Sequence, residues 1–298
     1  MSLFCRHNRL TANCPICTRE QQAELRAKAP PSPPRTRTGA TAKRSAGTGA
    51  RRSGVVTRRV ARAADDGYRS PLAPGLRATA DAERLAAALA AAAERLEPPG
   101  PYPELAEEAE LEQATWLAFL LALAGPDAPE LRGALRAARP RWEDGAPDDL
   151  PSERRRTAEA YRAWAARAGS QQAAFAGDAG WSPERRFARV FERLALPGFG
   201  RPRRFDLLTA LGAAGRYALT AGELFLGLED DATTLAAKRL LVSGDRVLLE
   251  RRARDLADAC ALPIAALDRG LAVWGTPGAP VDLAGDPPAA VRAALSLR

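Results

Sequence analysis

Four potential metal ligands lie within the first seventeen residues of the chain, in the segment CRHNRLTANCPIC. Cys5 and His7 form one close pair, and Cys14 and Cys17 form a second pair of the Cys-x-x-Cys type. Two short chelating pairs joined by a small loop suit a tetrahedral Zn²⁺ ion, which thiolates and imidazole bind well. The spacing predicts a structural zinc knuckle over residues 1–22, with no open coordination position for catalysis. The alternative is a redox Cys-x-x-Cys beside an unrelated Cys and His.

A second candidate site is the stretch LALPGFGRPRRFD, residues 194–206, where two glycines and a proline precede three arginines. Glycines let another molecule approach the backbone closely, and the first N–H groups of the following helix are free to donate. Such a helix start favours an anion, and arginine binds phosphate in a bidentate manner. The stretch predicts a turn that holds a DNA phosphodiester through Gly198, Phe199, Gly200, Arg201, Arg203 and Arg204. A purely structural turn between packed helices is the alternative.

Three residues are candidates for catalysis. Lys238 is the sole lysine after residue 43, in a chain that otherwise uses arginine, and a buried amine can lose its proton whereas a guanidinium cannot. An ordinary surface lysine is the alternative. Asp206 follows the arginines and acts as a base if burial raises its pKa, although an ion pair with Arg203 or Arg204 is the simpler interpretation. Asp268 is a further candidate acid without independent support.

The elements that must position these residues are helices. Helical periodicity predicts segments 79–97, 103–125 and 152–169, then a helix capped by Ser182 with a buried stripe that ends at Leu194. Further helices are predicted at about 203–213, 231–242, 245–261 and 263–273, the second of them capped by Asp230 or Asp231, and no strand pattern of useful length occurs. The body is therefore predicted to be all-α. Trp274 and Cys260 are expected in its core, with stacking on an extruded base as the alternative for Trp274.

The positive charge of the chain lies in its N-terminal part. Residues 1–64 contain 14 Lys and Arg against 2 acidic residues, whereas the remainder contains 30 against 34. Pro, Gly, Ser, Thr and Arg fill residues 29–64, so the sequence predicts a disordered basic linker that binds nucleic acid through its charge. A linker of biased composition that binds nothing specific is the alternative. No apolar run reaches the roughly 20 residues of a membrane span, and no signal peptide is predicted, so we expect a cytoplasmic bacterial protein.

The helix–LPGFG–helix unit resembles the helix-hairpin-helix of DNA-binding proteins, and the all-α body around it is similar to the helix-hairpin-helix DNA glycosylase superfamily. Bifunctional members carry a catalytic lysine just after the hairpin, where this chain has Pro202. Asp206 also lies too near the hairpin to match that superfamily's catalytic aspartate. The resemblance therefore does not imply ordinary lesion excision.

A narrower resemblance joins the Cys/His knuckle, the basic linker, RFARVFERLALPGFGRPRRFDLL and TTLAAKRLL…ALDRGLAVWG. This pattern resembles the α-glutamyl/putrescinyl thymine pyrophosphorylases, clade 3. The resemblance implies an enzyme that displaces pyrophosphate from an activated 5-methylene group of a thymine-type base in DNA. It also implies a small amine or amino-acid co-substrate, such as putrescine or glutamate.

These observations predict four regions along the chain. They are the zinc knuckle (1–22), the disordered basic linker (23–72), an N-terminal helical lobe (73–176) and a lobe with the helix-hairpin-helix (177–298). Two other functions stay open at this point. One is a non-catalytic DNA-binding protein, and the other is a zinc-knuckle adaptor for protein partners.

Overall fold

The computed structural model describes residues 63–281 and 285–297. The predicted zinc ligands and most of the predicted linker lie outside these residues. Within them the fold is all-helical, as predicted, and no strand is present. The helices are α1 (Thr79–Glu94), α2 (Glu104–Glu107), α3 (Leu111–Ala124), α4 (Pro129–Ala138), α5 (Ser152–Arg167), α6 (Gln171–Ala176), α7 (Pro183–Arg193), α8 (Arg201–Ala213), α9 (Ala232–Leu241), α10 (Arg246–Ala259), α11 (Ile264–Gly275) and α12 (Ala289–Ala294).

Helix α3 is the centre of the core. Its residues 113–124 are all buried, and it packs against α4 and α8. A helix that is apolar on every side must be surrounded by other elements. Trp116 and Phe119 on α3 stack with Tyr161 on α5, and the Phe119 and Tyr161 ring centroids lie 3.8 Å apart. Beyond this centre, α11 packs against both α1 and α9.

The predicted continuous helix over residues 103–125 is wrong, because the chain breaks between α2 and α3. Glu108 adopts an extended conformation there, with φ −75° and ψ 119°. Arginines from elsewhere hold the break: Arg139 pairs with Glu107 and Glu108, and Arg216 donates to the Leu105 and Glu108 carbonyl oxygens. These long-range contacts outweigh the local helical preference of the acidic stretch.

Several predicted local features are confirmed. The Ser182 hydroxyl accepts the N–H of Arg185 at the start of α7, and the stripe that ends at Leu194 is buried. Asp231 caps α9 by accepting the N–H of Thr234. Trp274 and Cys260 are both core residues, and burial raises the pKa of the Cys260 thiol to about 11.

The end of the predicted linker contacts the helical body. Ser70 is buried, and the Tyr68 hydroxyl donates to the Leu295 carbonyl oxygen just after α12. None of the helices in the described part of the chain is long and apolar enough to cross a membrane.

Candidate functional site

The hairpin turn, Leu196–Gly200, connects α7 to α8 and is fixed from both sides. The Thr157 hydroxyl of α5 donates to the Pro197 carbonyl oxygen over 2.8 Å. Gly198 has a φ of +72°, which side chains disfavour, and a Cβ there would lie 2.8 Å from the Thr157 hydroxyl oxygen. Phe199 is buried, with its ring centroid 5.1 Å from that of Phe119 in α3. Phe199 therefore anchors the turn in the core.

A carboxylate occupies the position at which the sequence predicts a phosphate. The backbone N–H of Arg201, the first residue of α8, donates to Glu229 Oε1 over 2.7 Å. Arg204 Nη2 lies 3.4 Å from the same oxygen, and a Cβ on Gly200 would lie 2.5 Å from Glu229 Oε2. Glu229 thus uses the anion-binding capacity of this helix start. Because its side chain is 41% exposed, it lies at the surface of the turn.

Arg201 is buried in the protein and does not face solvent. Its side chain is 0% exposed and forms two ion pairs, Nε with Asp231 Oδ2 at 2.6 Å and Nη1 with Asp268 Oδ1 at 2.8 Å. Burial opposes its positive charge, but the two carboxylates raise its pKa above the usual value. The guanidinium therefore connects the start of α8 to α9 and α11, and in this arrangement it cannot reach a DNA phosphate.

The two carboxylates that share Arg201 differ in their ionisation. Burial alone would raise the pKa of Asp231, but its two hydrogen bonds from Arg201 and those from Thr234 lower it. Burial raises the pKa of Asp268. The positive charge of Arg201 only partly offsets this rise, and the negative charge of Asp231 raises the pKa further. Asp231 is therefore a fixed anion, whereas Asp268 is closer to accepting a proton.

Arg203 is the most accessible of the predicted phosphate-binding arginines. Its side chain is 29% exposed, Nη1 donates to the Gly198 carbonyl oxygen over 2.9 Å, and Nη2 lies 3.7 Å from Asp127 Oδ2. Arg204 is buried, and its Nη1 donates to the Phe191 carbonyl oxygen. A groove along the turn is lined by Gly198, Gly200 and Arg203 together with Glu229.

A cavity of about 430 Å³ lies beside α8 and brings together two of the three predicted catalytic residues, Asp206 and Asp268. This volume falls within the range of about 300–1,000 Å³ usual for small-molecule sites. One part of the wall is apolar and includes Leu96, Ala272 and Val273. The polar part of the wall includes three arginines and three aspartates, Arg132, Arg203, Arg269, Asp127, Asp206 and Asp268, together with three threonines, of which Thr209 is one.

Asp206 does not form the expected ion pair with Arg203 or Arg204. Its side chain projects from α8 towards Tyr102, whose hydroxyl donates to Asp206 Oδ2. Arg132 Nη2 lies 3.4 Å from the same oxygen, and Arg269 Nη1 lies 3.8 Å from Oδ1. Burial raises the pKa of Tyr102 well above 10.0, and the charge of Asp206 raises it further. The tyrosine is therefore a neutral donor.

Sequence reasoning missed the partners of Asp206. Tyr102 precedes α2, Arg132 lies on α4 and Arg269 lies on α11, and none belongs to a recognisable motif. One signal was available: Asp268 and Arg269 are the two charged residues of an otherwise apolar α11. Tyr102 and Asp206 are 104 residues apart in the chain, which no local pattern could connect.

Lys238 lies apart from this group of residues. Its side chain is 36% exposed, and its Nζ donates to Asp230 Oδ1 over 2.8 Å. It is not among the residues that line the cavity. A catalytic role for Lys238 stays a prediction, and its position away from the cavity does not support that role.

Residues 141–276 are similar to a known protein family. They match the family model of alpha-glutamyl/putrescinyl thymine pyrophosphorylase, clade 3, and this confirms the resemblance predicted from the sequence. The matched segment contains the hairpin turn, Asp206 and Asp268. None of the curated proteins and none of the solved structures compared with the chain matches it.

Proposed function

We propose that the protein modifies a thymine-type base in DNA by replacing a pyrophosphate substituent with an amine. The family name supports a thymine-modifying pyrophosphorylase. The observation that carries the proposal is the ion pair from Arg201, the first residue after the hairpin turn, to Asp268 in the cavity wall. This contact couples the turn that would hold the DNA backbone to the cavity that would receive the base.

Asp268 is the candidate proton acceptor in this reaction. The amine nitrogen attacks the 5-methylene carbon, a C–N bond forms, and the C–O bond to the diphosphate breaks with its electron pair on the departing oxygen. The nitrogen must lose a proton, and a carboxylate with a raised pKa is a better base than an ordinary one. Burial raises the pKa of Asp268 in this way, while Arg201 fixes its position.

The base must leave the helix stack to reach the cavity. Enzymes that act on a base atom extrude the nucleotide into a pocket, and contacts to the adjacent backbone hold the strand. The hairpin turn supplies those contacts in the proposal, through its backbone and Arg203. Since Glu229 now accepts the N–H of Arg201, a phosphate that uses this donor must displace the Glu229 carboxylate.

The direct test uses a duplex that carries one 5-(pyrophosphoryloxymethyl)uracil. We expect the full-length chain to release pyrophosphate when putrescine or glutamate is added, and mass spectrometry of the digested duplex to show the amine on the base. Asp268→Asn keeps a hydrogen-bond acceptor for Arg201 but removes the base, so we expect at least about a hundredfold lower rate. Asp255→Asn, at an exposed position on α10, is the matched control and should retain the wild-type rate.

Two results would contradict the proposal. The first is the absence of pyrophosphate release with both amines from a protein that binds the duplex, which would favour a non-catalytic DNA-binding protein. The second is an equal rate for the Asp268 and Asp255 variants, which would remove Asp268 from the mechanism. Circular dichroism of both variants shows that each retains the helical fold.

A further inference from the structure

Two guanidinium groups, those of Arg132 and Arg269, line the end of the cavity where Asp206 lies, and a third, that of Arg95, lies within electrostatic range of both. Arg95 caps the C-terminus of α1, Arg132 lies on α4 and Arg269 lies on α11. We call these three residues the arginine cluster. They come from three separate helices, so their proximity is a product of tertiary structure and not of one basic stretch.

Arg132 is held rigidly within the arginine cluster. Its Nη2 donates to the Tyr102 hydroxyl oxygen over 2.7 Å and lies 3.4 Å from Asp206 Oδ2. Its guanidinium also lies over the Tyr102 ring, 5.1 Å from the centroid. With 11% of its side chain exposed, Arg132 is a nearly buried and preorganised donor.

Arg269 and Arg95 are much less neutralised. The nearest acidic oxygen that pairs with Arg269, Asp206 Oδ1, is 3.8 Å away, beyond hydrogen-bonding distance. Arg95 is exposed, is not among the residues that line the cavity, and makes no side-chain hydrogen bond or ion pair with another described residue; partial desolvation together with the charges of Arg269 and Arg132 lowers its pKa. The arginine cluster and Asp206 together carry three positive charges against one negative charge, a net charge of +2.

Part of this positive charge lies in the cavity wall, where Arg132 and Arg269 share the Asp206 carboxylate, and an anionic ligand at that place would compensate it. Like charges repel, and folded proteins usually pair buried or half-buried arginines with carboxylates. Arg201 shows that pattern in the same protein, with two carboxylates on one guanidinium. The cavity also contains the Thr209 hydroxyl oxygen, which is buried and has no hydrogen-bond partner among the described residues.

We propose that the arginine cluster is a diphosphate-binding site, with Arg132 and Arg269 in the wall at one end of the cavity and Arg95 beside them. This site rests on the proposed function, because it is the end of the cavity that would hold the leaving group of that reaction. A diphosphate has several negative charges and many acceptor oxygens, and guanidinium groups bind such oxygens in bidentate geometry. The apolar wall with Leu96, Ala272 and Val273 is left for the pyrimidine ring.

The site would also favour departure of the diphosphate. Negative charge builds up on the oxygen whose bond to the methylene carbon breaks, and preorganised cations at that place lower the energy of the transition state. Tyr102 and Asp206 act as positioning residues, since they contact Arg132 and hold its guanidinium towards the cavity.

Inorganic pyrophosphate alone tests the site, with neither DNA nor amine present. Titration calorimetry of the full-length chain should show one binding event, at least about tenfold tighter than for orthophosphate or sulfate at the same ionic strength. Because hydrogen bonds to charged groups contribute about 1.5–3 kcal/mol, Arg269→Gln and Arg95→Gln should each weaken binding about tenfold or more. Arg254→Gln is the matched control: Arg254 is a half-exposed arginine on α10, and its loss should leave the affinity unchanged.

Equal pyrophosphate affinity in all four proteins, or no binding by the wild type, would overturn the site. This readout is separate from that of the proposed function. A protein that modifies DNA but does not bind free pyrophosphate through these arginines contradicts only the diphosphate site. A protein that binds pyrophosphate through them but does not act on DNA contradicts only the DNA-modifying function.

Discussion

The hairpin turn and the arginine cluster differ in how far carboxylates neutralise their arginines. Arg201 and Arg204 lie next to the turn, in a dense basic stretch of the helical body, yet both are buried and paired with carboxylates. Arg95 and Arg269 come from separate helices, and neither forms a hydrogen bond to a carboxylate of the described residues. The difference teaches that local density of arginine in a sequence does not measure available charge. What matters is how many acidic groups the fold brings to each guanidinium.

The two regions are nevertheless joined through one residue. Arg201 begins α8 directly after the turn, and its guanidinium reaches Asp268 in the cavity wall. Asp206 lies on the same helix and contacts the arginine cluster. Helix α8 therefore begins at the turn and lines the cavity further along.

The largest effect is expected from removal of the buried guanidinium. Arg201→Met leaves Asp231 and Asp268 without their shared cation, and breaking a buried ion pair on one side costs about 3–5 kcal/mol. Arg203→Met, two residues along α8 and partly exposed, should cost less than about 1 kcal/mol. Urea denaturation of the two variants measures the difference. Equal losses of unfolding free energy in the two variants would mean that the buried ion pairs of Arg201 do not stabilise the fold more than the exposed contacts of Arg203.

Most of the longer helices, the Ser182 cap and the turn could be predicted from the sequence, because each depends on neighbouring residues. The break within residues 103–125 and the helices α4, α6 and α12 were not predicted. Ser182, Pro183 and the stripe to Leu194 define α7 by spacing alone, and LPGFG predicts the turn between α7 and α8. Burial of Trp274 follows in the same way from its place on the apolar face of α11.

The contacts that define the candidate site could not be predicted, because they join distant parts of the chain. Glu229 reaches the N–H of Arg201 from 28 residues away, and Tyr102 reaches Asp206 from 104 residues away. Periodicity gives the face of a helix that is buried, but it does not give the element that covers this face. Asp206 and Asp268 were found by residue type, whereas their partners required the tertiary structure.

A smaller effect is expected at the cavity from Tyr102→Phe, which deletes the hydroxyl between Asp206 and Arg132. One hydrogen-bonding group of this kind contributes about 1 kcal/mol to the free energy of unfolding. The pKa of Tyr102 is raised above 10.0 in the folded protein, so its contribution is complete below pH 10 and falls as the pH rises further. The variant should therefore lose less stability than the wild type between neutral pH and pH 11. Chemical denaturation at both pH values measures the two losses. An equal loss of unfolding free energy in the variant and the wild type would contradict this role.

The smallest effect is expected at the turn from Glu229→Gln, which keeps an acceptor for the N–H of Arg201 but removes the negative charge. A charge at a helix N-terminus is worth about 0.3–1 kcal/mol, so a phosphate that replaces this carboxylate should bind duplex DNA about two- to fivefold more tightly in the variant. Glu223→Gln removes a charge of similar exposure that pairs with Arg254, and it is the matched control in the full-length chain. Fluorescence anisotropy over a salt series compares the two, with the basic N-terminal part present in both.

If Glu229→Gln binds DNA no better than Glu223→Gln, the carboxylate is a permanent cap of α8 and the turn does not use this donor for phosphate. A gain confined to Glu229→Gln would instead show that the turn, unlike the arginine cluster, carries its own internal competitor for an anion.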